Sequence, residues 1–398
     1  MAPEWRDSTW GDEISLEYGK GLRGYAEAEG PVRVFGTNGP VGWTDEPLAP
    51  GPGVIVGRKG AYRGVHFSRE PFFVIDTAYY VVPKTDLDMR WLYYAIIHHK
   101  LTELNDGSPI PSTTRAAVYV RDVKVPPSEE QRAIAEVLGS LDEKIDLNHR
   151  INRALEKMTW AIFKAWFVDF EPVKAKANGA SNFHGMPQDA FDQLPDRLVE
   201  SDIGEIPQGW SLRAVADVAE YINGRAFTKH ANGQGRMIIR IAELNSGPGG
   251  ATKYSDVETE PEYTAFPDDI LFAWSGSLDV YRWHRDEAII NQHIFKVVPK
   301  DCPKWYVYCR LIEAMPFFKS IASTKATTMG HIKRSHLSDA VFAAAPAWLV
   351  EAAEDQIRPL YDLVHCNERA SFALASTRDT LLPKLISGEL RLEGASNA

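Results

Sequence analysis

Two short stretches concentrate side chains of the kind that touch nucleic acid. Residues 57–64, GRKGAYRG, set Arg58, Lys59 and Arg63 around a glycine turn with Tyr62 among them. Residues 323–334, STKATTMGHIKR, interleave Lys325, Lys333 and Arg334 with Thr327, Thr328 and His331. Cationic side chains neutralise phosphates, while hydroxyls and an imidazole hydrogen-bond base edges. A solvated loop has the same composition, so neither stretch decides the matter alone. Catalytic patterns are missing. The chain has no G-x-x-x-x-G-K-[ST] phosphate loop, no Asn/Asp-Pro-Pro-aromatic tetrad of an adenine methyltransferase and no convincing nucleophile-and-base set. GKGLRG (19–24) fits G-x-G-x-x-G, but Gly30 and Pro31 break the helix that a dinucleotide site needs directly after it. Cys302, Cys309 and Cys366 offer neither a disulfide framework nor metal-ligand spacing, and the histidines are scattered.

The elements that would carry these stretches occur twice. VVPK stands at 81–84 and again at 297–300. Before each copy lie an apolar run (Ile55-Val56, Leu271-Phe272) and a glycine turn (Gly60, Gly276); after each comes a tryptophan (Trp91, Trp305). Each block predicts strand, turn and strand, and the drift in spacing suits a diverged duplication with loops of unequal length.

A long helix closes each copy. Residues 126–167 open with prolines, and Ser128 followed by Gln131 predicts a capping box. A four-and-three spacing then runs through Ile134, Leu138, Leu141, Ile145, Asn148, Asn152, Leu155, Thr159, Ile162 and Trp166. This is a coiled-coil seam. A shift of 219 residues gives Ala353, Ile357, Leu360, Val364, Asn367, Ser371, Leu374, Arg378, Leu381 and Leu385, so Asn148 falls on Asn367. A polar seam residue costs stability and fixes register. Pro359 removes a backbone donor, so the second helix is expected to kink or begin there.

The predicted order is a domain at 1–127, a helix at 128–170, a linker with one short helix at 171–205, a domain at 206–346 and a helix at 347–392. The fold class is α+β, two mixed globules and two long helices in a pseudo-two-fold repeat. Net charge is −10, which argues against a simple nucleic-acid binder. The acid is unevenly placed. Residues 128–205 hold 9 basic and 15 acidic side chains, whereas 206–346 hold 16 and 15. Near-neutral globules can still present basic faces. No stretch resembles a signal peptide or reaches membrane length, and the expectation is a soluble cytoplasmic protein.

With these residues in view, the chain resembles the specificity subunits of Type I restriction–modification systems. The marks are GTNG (36–39), VGRKGAY (56–62), IDTAYYV (75–81), VPPSEEQRAIAEVL (125–138), LDEKIDLNHRINRALE (141–156), IFKAWFVDFEP (162–172), GEIPQGW (204–210) and LLPKLISGEL (381–390). The resemblance implies two target-recognition domains, each reading half of a bipartite DNA site, and two antiparallel helices that set the spacer. It also implies partners: two modification (methyltransferase) subunits docked on the helices, then restriction (translocase–nuclease) subunits. S-adenosylmethionine, ATP and Mg2+ are expected in those partners, and no cofactor in this chain. Trp274-Ser275 replaces Arg58-Lys59 in the second copy, which implies that the halves read different bases. The candidate DNA contacts are Lys20, Asn38, Arg58, Lys59, Tyr62, Arg63, Thr113, Thr114 and Arg115 in the first copy. In the second they are Arg225, Lys229, Trp274, Ser275, Lys325, Thr327, Thr328, His331 and Lys333. Two other classes stay open, a stand-alone nuclease or methyltransferase and a coiled-coil scaffold that does not bind DNA.

Overall fold

The structure, a computed structural model, describes residues 4–60, 62–104, 111–324 and 330–392. It divides into two compact units. The first comprises residues 1–145 and 373–398, the second residues 146–372.

In the first unit Gly53–Gly57 is an inner strand of a four-stranded antiparallel sheet, in the order Ile14–Tyr18, Ala78–Pro83, Gly53–Gly57, Val65–Ser68. Its apolar run is continuous because both faces are covered. Val54 and Val56 pack towards Trp91 and Leu92 of the helix Met89–His98, while Ile55 packs with Phe35, Phe72 and Val74. The latter three belong to a second sheet, Gly39–Thr44, Val32–Gly36 and Phe72–Val74, whose last pair is parallel. Arg6–Thr9 pairs with Asp122–Val125 beside it.

The second unit repeats this plan. Ala219–Asn223, Ile294–Pro299, Ile270–Ala273 and Asp279–Arg282 form the four-stranded sheet. Lys253–Ser255, Arg236–Ile239 and Ala288–Ile290 match the three-stranded one, parallel pair included, and Thr264–Ala265 adds an edge strand. Ser211–Ala214 pairs with Val341–Ala344. The VVPK copies occupy one structural position. Val81 and Val297 are buried, Val82 and Val298 face out, and Pro83 and Pro299 end their strands, where the missing N–H breaks no ladder.

The long helices are Ser128–Phe167 and Ala347–Ile386, 40 residues each. In the first unit Arg378 Nη1 bonds Asp142 Oδ1 at 2.6 Å and Arg391 Nε bonds Glu130 Oε1 at 2.6 Å. In the second, Asn148 Nδ2 donates to Ser371 Oγ at 3.1 Å, Asn367 Nδ2 donates to Asn152 Oδ1 at 2.8 Å, and Asn152 Nδ2 donates to the Val364 carbonyl at 3.2 Å. Partners step down one helix as they step up the other, so the helices pair antiparallel within each unit. Of the residues at four-and-three spacing, Leu138, Asn148, Ile357 and Val364 are buried, and Leu141, Ile145, Leu155, Ile162, Leu360, Asn367, Leu374 and Leu381 are half-buried. The two amide contacts are mates, since a shift of 219 converts Asn148–Ser371 into Asn367–Asn152.

Three local expectations are corrected. There is no capping box. The Ser128 hydroxyl donates to Asp86, while Gln131 donates to the Pro126 carbonyl and accepts from the Asp88 N–H, so a segment 40 residues upstream takes both side chains. The second helix does not begin at Pro359; it begins at Ala347 and runs through that residue, because pairing along its length outweighs one lost backbone bond. Residues 171–205 hold two short helices, Glu171–Ala177 and Gln188–Gln193, and contribute Val173, Met186, Ala190, Phe191 and Leu194 to the core of the second unit. That stretch is part of a folded domain.

Candidate nucleic-acid interface

The first unit presents cations on the turn that leaves its inner strand. In the first unit Arg58 N–H donates to the Thr77 carbonyl at 3.0 Å, and Lys59 bridges to Ser112. Gly57 lies against the Thr37 carbonyl so closely that a Cβ would stand 2.2 Å from it, which is why the turn needs glycine. Thr37 Oγ1 also donates to the Lys59 carbonyl at 2.7 Å, fixing the Asn38 turn beside Lys59. The Arg58 guanidinium lies 5.1 Å from the Tyr18 ring, and that of Arg115 lies 4.3 Å from the same ring. Hydrogen bonds from Tyr79 and Arg58 hold the Tyr18 phenol below its ordinary pKa, while burial pushes that of Tyr79 up to about 12. Tyr18 is 48% exposed, so the group of two arginines and an aromatic face is open to solvent.

The sequence candidates separate around this group. Lys20, Asn38, Lys59 and Tyr62 are exposed, and Arg58 is half-buried. Arg63 serves the scaffold, donating to the carbonyls of Thr102 at 2.7 Å and Leu104 at 3.1 Å. Thr113 is 1% exposed, too deep to reach a duplex. The Thr114 side chain caps the helix Arg115–Tyr119. Arg115 donates to the Leu16 carbonyl at 2.6 Å and stays half-exposed over Tyr18.

The second unit has the same turn with other chemistry. Trp274 N–H donates to the His293 carbonyl at 3.1 Å, Ser275 bridges to His331, and Gly276 N–H donates to the Gly330 carbonyl at 2.8 Å. Trp274 takes the place of Arg58. Its indole donates to Asn223 Oδ1 at 2.8 Å and its ring lies 4.9 Å from that of His293. Arg225 lies 4.1 Å from the Tyr263 ring and donates to its hydroxyl at 2.6 Å. Lys229 and Lys333 are exposed. Lys325, Thr327 and Thr328 lie outside the described residues.

Sequence reasoning missed the aromatic partners Tyr18 and Tyr263. It also missed the pair Arg33–Trp43, in which the guanidinium lies 4.2 Å from a ring 39% exposed. For Tyr18 and Trp43 the available signal was an exposed aromatic within a strand that also carries polar residues; Tyr263, buried in a one-turn 3-10 helix, left no such signal. Stacked guanidinium–aromatic pairs of this sort present both a positive charge for phosphate and a flat face for a base. Among the described residues no cluster of His, Cys, Asp or Glu is arranged to hold a metal, and no helix is long and apolar enough to cross a membrane. Burial pushes the thiols of Cys302 and Cys309 up to about 11 and about 12, away from nucleophilic thiolate.

The model of the Type I restriction modification DNA specificity domain matches the chain twice, over residues 25–157 and 207–339, one match for each copy of the repeat. Among similar proteins is the MjaIX specificity subunit of Methanocaldococcus jannaschii, a Type I restriction enzyme component, 25% identical over 79% of this chain and 72% of that protein. Another is the HindI specificity subunit of Haemophilus influenzae, 23% identical over 80% of this chain and 81% of its own length. The crystal structure of the S subunit of a Type-I restriction-modification system from M. genitalium shares the fold, with a TM-score of 0.60 at 16% identity over 96% of both chains. With two matched copies covering more than half its length, the chain belongs to the family of Type I restriction modification DNA specificity domains.

Proposed function

We propose that the chain is the non-catalytic, DNA-reading subunit of a Type I restriction–modification complex, and that each unit reads one half of a bipartite, asymmetric site. The observation that carries this reading is the doubled specificity domain with unlike chemistry at equivalent turns, Arg58-Lys59 in one copy and Trp274-Ser275 in the other. A symmetric reader would bind a palindrome; two diverged readers bind an interrupted asymmetric site. The helices act as the ruler for the gap. Forty residues at about 1.5 Å each give about 60 Å, enough to serve grooves about 34 Å apart. They also dock two modification subunits, which supply S-adenosylmethionine chemistry on a flipped adenine. Restriction subunits with ATP and Mg2+ complete the assembly, and the complex works in the cytoplasm. The negative net charge fits a chain that depends on its partners for affinity, because the phosphate term dominates binding.

The test is anisotropy with a labelled duplex across a salt series, with and without modification subunits, together with a methyl-transfer assay. Tight, salt-sensitive, sequence-selective binding is expected only in the assembled complex. Methyl transfer by the purified chain alone contradicts the reading.

A further inference from the structure

The second unit contains a cavity of about 380 Å³ between its long-helix segments, the helix Lys304–Thr324 and the strand Asp279–Arg282. That volume falls within the usual range for small-molecule sites. Three polar atoms in its wall have no hydrogen-bond partner among the described residues: Thr159 Oγ1, the Tyr361 hydroxyl and Glu368 Oε2. Thr159 is 7% exposed and Tyr361 6%. Unpartnered groups at that depth carry a free-energy penalty that a ligand can relieve.

The repeat shows what is missing. The counterparts of Thr159, Tyr361 and Tyr308 in the first unit are Arg378, Asp142 and Tyr94. There the Tyr94 hydroxyl donates to Asp142 Oδ2 at 2.5 Å, and Arg378 Nη1 bonds Asp142 Oδ1 at 2.6 Å. A guanidinium and its carboxylate close the space between helix and domain. In the second unit a threonine stands at the guanidinium position, and the space is open.

The charges present do not close it. Arg282 lies 3.5 Å from the Tyr361 ring, but its guanidinium is committed to Asp268 at 2.7 Å. His284 Nδ1 is 3.9 Å from Glu368 Oε2, and burial pushes this imidazole down to about 4, so it is neutral at pH 7. Burial, opposed by Arg282 and reinforced by Glu156, raises the Glu368 carboxyl to about 7. The cavity thus offers the Glu368 carboxyl, which feels Arg282 but makes no ion pair with it, the Glu156 carboxyl beside it, two unpaired hydroxyls, and the aromatic walls of Trp160 and Tyr308.

We propose that this cavity binds a small organic cation, a guanidinium or alkylammonium group on a short apolar stem. Glu368 takes the charge, the Thr159 and Tyr361 hydroxyls accept from further N–H groups of the ligand, and Trp160 and Tyr308 cover the stem.

Calorimetric titration of the full chain with agmatine tests this. Saturable binding at one site is expected, and n-pentanol, of similar length without charge, should not bind. Glu368→Gln keeps the shape and should weaken binding by roughly tenfold or more, as expected for loss of a charge-assisted hydrogen bond. Thr159→Arg supplies the guanidinium that the first unit carries in its own chain; it should abolish binding and raise Tm. Absence of saturable binding up to about 10 mM agmatine, about 2.7 kcal/mol of binding free energy, overturns the proposal. So does equal affinity in the wild type and Glu368→Gln, a comparison that stands even if Thr159→Arg fails to fold.

Discussion

The two units share strand order, parallel pair and turn hydrogen bonds, yet differ wherever a side chain is free to change without altering the backbone plan. Position 96 of the first unit is a buried isoleucine; its counterpart, Arg310, is 1% exposed. Arg310 donates to the carbonyls of Phe167 and Ala343 and to the Tyr306 hydroxyl, and lies 4.3 Å from the Phe342 ring. Glu13 of the first unit, bonded by Arg6, Ser8 and Thr85, corresponds to the apolar Val218 of the second. At the tips, Arg58 over Tyr18 corresponds to Trp274 beside His293. The backbone plan tolerates polar or apolar solutions at one position; the partners of Arg310 Nη2 and of the Glu13 carboxylate offset the burial of those two groups.

The largest effect expected from breaking this comparison is at Arg310. Arg310→Ala leaves two carbonyls and a hydroxyl unpaired and should cost about 3–5 kcal/mol in urea unfolding of the second unit. Ile96→Ala in the first unit removes packing without stranding a polar group, and about 2–5 kcal/mol is expected; the two variants should melt different units, which hydrogen exchange resolves. Next comes the amide seam. Asn152→Ala strands the Asn367 amide and should cost about 1–3 kcal/mol. Replacing Asn148, Asn152, Asn367 and Ser371 together by leucine should leave stability unchanged or higher, with loss of a unique register detectable as broadened NMR signals.

Recognition effects are smaller and confined to one half-site. Arg58→Ala and Lys59→Ala sort the contacts: loss of a base contact should cost about 1–3 kcal/mol and relax one position of one half-site, whereas loss of a phosphate contact should weaken all sequences alike and flatten the salt slope. Binding to a library of site variants separates the two. The smallest effect is acid lability. Burial raises the Glu13 carboxyl, but the bonds from Arg6, Ser8 and Thr85 outweigh it and carry the group down to about 2. Its contribution is present above the unfolded value of about 4.3 and is lost as pH falls towards 2. With Arg6 half in solvent, about 1–2 kcal/mol is expected. Glu13→Gln should remove that pH dependence from the first unit only, as followed by thermal melts between pH 5 and pH 2.

Much of this plan is legible in the sequence because it rests on periodicity. The apolar runs at 54–56 and 270–273, the VVPK strand ends and the four-and-three seam each follow from a local rule. The capping box at Ser128 fails because Asp86 and Asp88, distant in sequence, compete for the same side chains. At the interface, cations were visible in GRKGAYRG, but their sorting was not. Arg63 turns inwards to Thr102 and Leu104, while Arg115, nearly 100 residues from Tyr18, turns out to share its ring with Arg58. Stacking partners brought together by sheet pairing leave no spacing to read.

We propose that the two copies read separate halves of one DNA site. Exchanging residues 206–346 for the matching domain of another specificity subunit, followed by sequencing of methylated sites in a host carrying the modification subunits, tests it most directly. The expected motif has one half rewritten and the other half retained. A motif altered in both halves, or unchanged in both, contradicts it.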